Sequence, residues 1–134
     1  MNEYKLLNKL RTNLLQRDCT GYNVGAFILD KRGSIISEGY NSYVKTHPRM
    51  IQNPHYNIHQ IFVHAECDAL YKMPFGSKPY AMIVCRINKR GDFMLSKPCI
   101  GCYHEILTFN IRKVYYTTVD GELTILKKVN EECY

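Results

Sequence analysis

Two short segments, far apart in the chain, constrain the fold more than any other feature. The first is His64-Ala65-Glu66, and the second is Pro98-Cys99-Ile100-Gly101-Cys102. One imidazole, a nearby carboxylate and a close pair of thiols are the groups that a catalytic zinc site uses. They can serve one ion only if they meet, so the fold has to place the two segments side by side.

The size and composition of the chain are those of one globular domain. It has 134 residues, of which 46% are hydrophobic and 22% are charged. We therefore expect a single domain over residues 1–134. No apolar run approaches the roughly 20 residues of a membrane span, and the polar start of the chain lacks the layout of a secretory signal. The expected location is cytoplasmic.

The cysteines favour metal binding over disulfides. In a reducing compartment, clustered cysteines bind metal more often than they pair. Only Cys99 and Cys102 are spaced as a pair, and the other four are scattered at Cys19, Cys67, Cys85 and Cys133. Cys85 lies inside an apolar run, so its simplest role is that of a small buried hydrophobic residue.

Apolar spacing and turn residues predict alternating helices and strands. The predicted elements are a helix over residues 3–16, strands over 24–29 and 34–40, a helix over 64–73, a strand over 80–86, a helix over 99–109, and strands over 111–117 and 123–126. This order predicts an α/β fold, a three-layer α-β-α sandwich with a mixed sheet of about five strands. The strand over 80–86 is continuous enough to be central and covered on both faces.

The cysteine pair and His64 together make a ligand set for one catalytic zinc ion. On a helix, residues 99 and 102 project from one face, and the start of a helix favours their thiolate forms. With His64 as the third ligand, the fourth tetrahedral position stays available for water. A closed structural site would need a fourth protein ligand, for which the candidates are His104, His47, His55, His59 and Cys67.

Glu66 has two possible roles. Two residues apart on a regular helix, His64 and Glu66 would point in nearly opposite directions, so both reach one site only if His64 lies at the very start of the helix. Beside a zinc-bound water, a carboxylate there can accept a proton and return it to a leaving group. The alternative is a first-turn acid that the helix dipole stabilises.

The chain between the two segments supports their convergence. The predicted helix over 64–73, strand over 80–86 and helix over 99–109 form an α-β-α unit. A right-handed crossover in such a unit puts both helices on one face of the sheet with their starting ends adjacent.

These segments resemble the zinc-dependent cytidine and deoxycytidylate deaminase superfamily, whose pattern is H-x-E followed by P-C-x-x-C. The resemblance covers residues 24–117, and the segments 24–26, 39–41 and 110–116 are most similar to compact, phage-type deoxycytidylate deaminases. It implies a cytidine deaminase-like fold and one zinc ion held by His64, Cys99 and Cys102, with Glu66 as the proton shuttle.

The resemblance also implies a set of substrate contacts. Asn41 would hydrogen-bond the nucleoside, the backbone N–H of Ala65 would hold the base carbonyl, and the backbone carbonyl of Lys97 would face the departing amino group. Asn41 has the alternative of being an ordinary turn residue. Because members of the family commonly associate, the resemblance implies a homo-oligomer.

The segment over residues 41–60 holds no regular period and is predicted to be a long loop of the kind that carries function. The alternative is a plain surface excursion. The segment contains three histidines to which the resemblance assigns no role. Phosphate binding, a second metal site and plain solvation are open for each of them: His47, His55 and His59.

The reaction that these residues predict is hydrolytic deamination of a cytosine nucleotide, with dCMP converted to dUMP and ammonia. The net charge of +6 suits an anionic substrate but does not choose between a nucleotide and a nucleic acid. One alternative is therefore a deaminase that acts on cytosine or adenine within single-stranded DNA or RNA. Another is a non-catalytic binding module that zinc stabilises.

Overall fold

A computed structural model of the chain describes residues 2–17, 21–42 and 64–126. The helices and strands in these ranges are α1 (Glu3–Leu15), β1 (Asn23–Leu29), β2 (Ile35–Tyr40), α2 (Ala65–Tyr71), β3 (Ala81–Ile87), β4 (Phe93–Met94), α3 (Ile100–Thr108), β5 (Lys113–Thr117) and β6 (Leu123–Ile125). None of the helices in these ranges has the length and apolar character needed to cross a membrane.

The strands form one mixed sheet in the order β2-β1-β3-β5-β6. β1 is antiparallel to both of its neighbours, β3 and β5 are parallel, and β6 runs antiparallel to β5. The prediction of a mixed sheet of about five strands is confirmed. The structure adds β4, which pairs with the end of β3. Two residues are too few to show an alternating pattern, so the sequence contained no signal for this strand.

The sheet separates two hydrophobic cores, because alternate residues of a strand point to opposite faces. The core under α1 contains Leu7, Leu10, Leu14, Phe27, Leu29, Ala81, Ile83 and Cys85. The core under α2 and α3 contains Ala26, Ile28, Ala65, Ala69, Leu70, Met82, Val84, Ile106 and Val114. One helix therefore covers one face and two helices cover the other, which confirms the three-layer α-β-α sandwich.

The central strand is buried as the sequence predicts. Residues 81–85 of β3 are all inaccessible to solvent, and Cys85 among them is a small core residue. The predicted loop over 41–60, with its three histidines, lies outside the described residues except for Asn41 and Ser42. The single domain over residues 1–134 stays a prediction.

The edge strand β2 packs directly on the backbone of α2, and Gly39 is the point of closest approach. A methyl group at Gly39 would overlap the backbone nitrogen of Ala69 and lie 2.5 Å from the carbonyl oxygen of Ala65. The Ser37 hydroxyl donates to the Ala69 carbonyl at 2.6 Å, which fixes the two elements against each other. Only glycine fits at position 39 in this packing.

We expect Gly39→Ala to lower the free energy of unfolding by about 3 kcal/mol or more, because neither clashing group is a side chain that can turn aside. Gly76→Ala is the control: its methyl would meet nothing within 4 Å, and only its φ of +83° is unfavourable, at a cost of about 1 kcal/mol. Urea unfolding of both variants measures the difference. Equal losses would show that the β2–α2 contact is not tight.

Candidate active site

The starts of α2 and α3 bring the two sequence segments together. Both helices pack on the same face of the sheet and against each other. His64 and Cys99 each precede the first helical residue and have extended backbones, with φ and ψ of −83° and 155° for His64 and −72° and 168° for Cys99. His64 therefore has the position that sequence spacing requires if its side chain and that of Glu66 are to share a site.

The helix boundaries differ slightly from those predicted. Cys99 was expected inside the helix with Cys102, but it is the cap residue, and the helix starts at Ile100. The pair still converges because the extended backbone of Cys99 leads directly into the first turn, where Cys102 lies. Pro98 directly precedes this cap residue.

The donor atoms of His64, Cys99 and Cys102 fit a zinc ion. The Nδ1 atom of His64 is 3.6 Å from the Sγ atom of Cys99 and 3.3 Å from that of Cys102, and all three atoms lie within 4.8 Å of one another. With zinc bonds of about 2.0–2.1 Å to nitrogen and 2.3 Å to sulfur, tetrahedral ligands are about 3.6 Å apart. The three side chains can thus hold zinc with little movement.

No fourth protein ligand joins them in the described part of the chain. Among residues 2–17, 21–42 and 64–126, these three form the only such group of His, Cys, Asp and Glu donors. Cys67, one of the sequence candidates, touches Cys102 at 3.6 Å between sulfur atoms but is not part of the group, and His104 is exposed on α3. The other candidates, His47, His55 and His59, lie outside the described residues.

The pocket places negative charge on the thiol that is nearer to solvent. A hydrogen bond with Cys102 outweighs burial and lowers the pKa of Cys99 to about 4, with a further contribution from His64. Burial instead raises the pKa of Cys102 above its ordinary value. Burial also opposes charge on His64, but the hydrogen bond to Cys99 raises the pKa of the imidazole overall. Zinc binding would require both thiols to be deprotonated.

Glu66 is a buried carboxyl group beside these donors. Its relative exposure is 6%, and burial, followed by the negative charge of Cys99, raises its pKa to about 7. A carboxyl group with a pKa near 7 can accept and release a proton at neutral pH, which is the property that general acid–base catalysis requires.

Comparison with known proteins agrees with this geometry. Residues 2–118 match the family model described as the cytidine and deoxycytidylate deaminase zinc-binding region. The chain belongs to this family. The matched residues include His64, Cys99 and Cys102. The zinc ion that the family model describes is therefore assigned to these three side chains, whose geometry fits it. A search of the curated proteins gave no significant match.

Two solved structures of cytidine deaminases have similar folds. The enzyme from Burkholderia pseudomallei aligns with a TM-score of 0.62 and 16% identity, over 95% of this chain and 93% of that chain. The enzyme from Mycobacterium leprae aligns with a TM-score of 0.54 and 14% identity, over 89% and 92%. The cytidine deaminase fold predicted from the sequence is therefore confirmed, whereas the compact phage-type subgroup is not.

The segment that carries the cysteines of this family motif is anchored by Ser96, which sequence reasoning did not single out. The Ser96 hydroxyl donates to the Val84 carbonyl at 2.8 Å and accepts from the backbone N–H of Thr117 at 2.7 Å. These bonds tie the residues before α3 to β3 and β5. A serine before the motif and a threonine in a strand are too common to have signalled this role.

Asn41 lies at the end of β2 and is held by Arg17. The guanidinium donates to the Oδ1 atom of Asn41 at 2.9 Å and to its backbone carbonyl at 2.8 Å. The Oδ1 atom also accepts from the Val24 N–H, and the amide nitrogen donates to the Tyr22 carbonyl at 2.8 Å. Among the described residues, one amide N–H of Asn41 therefore stays available. Nothing in the sequence connected Arg17 with this residue.

Ala65 and Lys97 flank the metal donors. Ala65 is the first residue of α2, where the backbone N–H has no partner within the helix, so it can donate to an acceptor outside it. Lys97 lies between the anchored Ser96 and the cap of α3. The positions of both residues are compatible with contacts to a molecule over the helix starts.

We expect the purified protein to contain about one zinc ion per chain, and Cys102→Ala to contain almost none. Since the ion should bind the folded protein more tightly than the unfolded chain, removing it with a chelator should lower the melting temperature of the wild type. Metal analysis and thermal unfolding measure both effects.

Cys85→Ala is the matched control, because it also removes a buried thiol but leaves the three donors intact. It should lose stability and keep its zinc. Full zinc content in Cys102→Ala would contradict the assigned ligand set.

Proposed function

We propose that the protein catalyses hydrolytic deamination of a cytosine nucleotide, with dCMP as substrate and dUMP and ammonia as products. The observation that supports this most directly is the carboxyl group of Glu66, which is buried next to three converging zinc donors. A site that only stabilised the fold would not need an ionisable carboxyl group buried at that position.

In this proposal His64, Cys99 and Cys102 hold the zinc ion, and Glu66 moves protons. When bound, zinc supplies Lewis acidity that makes water nucleophilic near neutral pH. Glu66 accepts a proton from the water that attacks the amino-bearing ring carbon. As the new C–O bond forms, Glu66 passes one proton of the water to the ring nitrogen N3, and as the C–N bond breaks it passes the second to the departing nitrogen, so that the uracil product keeps one hydrogen of the water and ammonia carries the other.

Three further groups would orient the substrate. The Ala65 N–H donates to the base carbonyl, and the Lys97 carbonyl faces the departing amino group. The remaining amide N–H of Asn41 donates to an oxygen of the nucleoside, while Arg17 keeps the amide in this orientation. The net charge of +6 supports a phosphorylated substrate over a neutral nucleoside.

A single-stranded nucleic acid is the second candidate substrate, and one feature of the structure favours it. Tyr22 is 59% exposed, and the guanidinium of Arg86 lies 4.1 Å from the centre of its ring. The backbone carbonyl of Tyr22 accepts the hydrogen bond from Asn41, which supports a role for this residue beside the proposed nucleoside contact. Aromatic rings with neighbouring cations hold single strands by stacking and phosphate contact.

We expect zinc-loaded wild-type protein to convert dCMP to dUMP and ammonia, and Glu66→Gln to lower kcat at least about 100-fold, because the amide cannot move protons. Glu66→Gln has nearly the same volume and should retain zinc. Coupled assay of ammonia and chromatography of the nucleotide measure the reaction. Turnover of an oligonucleotide but not dCMP would favour the second candidate, and undiminished turnover by Glu66→Gln would contradict the mechanism.

Asn41→Asp should raise the KM for dCMP by roughly tenfold, since it removes the N–H that would contact the nucleoside. The carboxylate still accepts from Arg17 and Val24 but loses the bond to the Tyr22 carbonyl, so the variant should be somewhat less stable while zinc content and kcat change little. Steady-state kinetics with zinc analysis test this expectation. An unchanged KM would mean that Asn41 is a structural turn residue only.

A further inference from the structure

A further buried thiol, that of Cys67, contacts one of the zinc donors. The Sγ atom of Cys67 is 3.6 Å from that of Cys102, and both side chains have no exposed surface. Tyr71 and Cys99 pack against the pair. Cys67 therefore touches a zinc donor within the protein interior.

Coordination would determine the direction of the hydrogen bond between these two sulfur atoms. A cysteine binds zinc as a thiolate, so a zinc-bound Cys102 carries no proton and can only accept. The proton shared at 3.6 Å then belongs to Cys67. A hydrogen bond to a charged acceptor is stronger than one between neutral groups, and burial of both atoms keeps water from competing for it.

A second polar contact between the same two helices holds this pair in place. The Tyr71 hydroxyl donates to the Oε1 atom of Glu105 at 2.7 Å, and Glu105 is only 7% exposed. Cys67 and Tyr71 are one turn apart on α2, and Cys102 and Glu105 are one turn apart on α3. The two contacts therefore lie one helical turn apart, and together they set the spacing of α2 and α3 near the metal donors.

We propose that Cys67 is a positioning residue of the metal centre, whose thiol donates a hydrogen bond to Cys102 and thereby strengthens zinc binding. The inference rests on the zinc site proposed above and not on the identity of the substrate. It gives Cys67 a role that differs from that of a fourth ligand, because its sulfur lies outside the group of converging donors. Partners of this kind typically change metal affinity by about 10–100-fold.

The test compares Cys67→Ala and Cys67→Val, which remove the donor, with Cys67→Ser, whose hydroxyl can replace it. Zinc affinity is measured by chelator competition, and the sulfur-to-cobalt charge-transfer band is recorded after substitution with Co²⁺. Cys85→Ala is the control for loss of a buried thiol elsewhere in the core.

We expect Cys67→Ala and Cys67→Val to bind zinc at least about tenfold more weakly, as loss of such a partner does. Their charge-transfer bands should move to lower energy, since the hydrogen bond stabilises the sulfur lone pairs. Cys67→Ser should keep an affinity and a band close to those of the wild type, and Cys85→Ala should match the wild type in both.

If Cys67→Ala had the zinc affinity and the charge-transfer band of the wild type, Cys67 would be only a packing residue and the proposal would be overturned. A lower charge-transfer intensity in Cys67→Ser, together with weak binding, would make it a ligand and also overturn the proposal. A wild type that binds no zinc would overturn this proposal and the proposed function together. A wild type that binds zinc with the expected differences but deaminates no nucleotide or oligonucleotide would overturn the proposed function alone.

Discussion

The site depends on two helices that begin side by side on one face of the sheet. β3 and β5 are parallel neighbours, so the connection that contains α3 has to cross the face of the sheet, and α2 packs beside it. Both helices then start at the same edge, where residues 64 and 99 still have extended backbones. The side chains at the helix starts converge because the sheet fixes the relative position of the two starts.

This arrangement places ionisable groups where solvent cannot stabilise their charge. Glu66 and Cys102 are both buried, and burial raises the pKa of each. Burial of such groups normally destabilises a fold unless a partner compensates. A zinc ion would compensate for the thiolates, and a buried carboxyl group next to it suits proton transfer. The hydrogen bond from Ser96 fixes the segment before α3 to β3, and the Tyr71–Glu105 contact links α2 to α3.

The sequence predicted the site best where the chemistry of two residues also required a particular backbone conformation. His64 and Glu66 can share a site only at a helix start, and the structure places them there. The three-layer fold was predicted from the spacing of apolar residues and from the turn residues between them. In contrast, Arg17, Ser96 and Cys67 act through contacts with residues distant in the chain, and no local pattern marks such contacts. β4 was missed because a two-residue strand depends on its pairing with β3 and not on its own sequence.

X-ray absorption at the zinc K-edge of the purified protein tests the central claim most directly, because it counts the atoms that bind the metal. The predicted spectrum fits two sulfur atoms at about 2.3 Å and two nitrogen or oxygen atoms at about 2.0–2.1 Å from each zinc ion, with one of the light atoms from solvent. Three or four sulfur atoms, or none, would contradict an open site made by His64, Cys99 and Cys102.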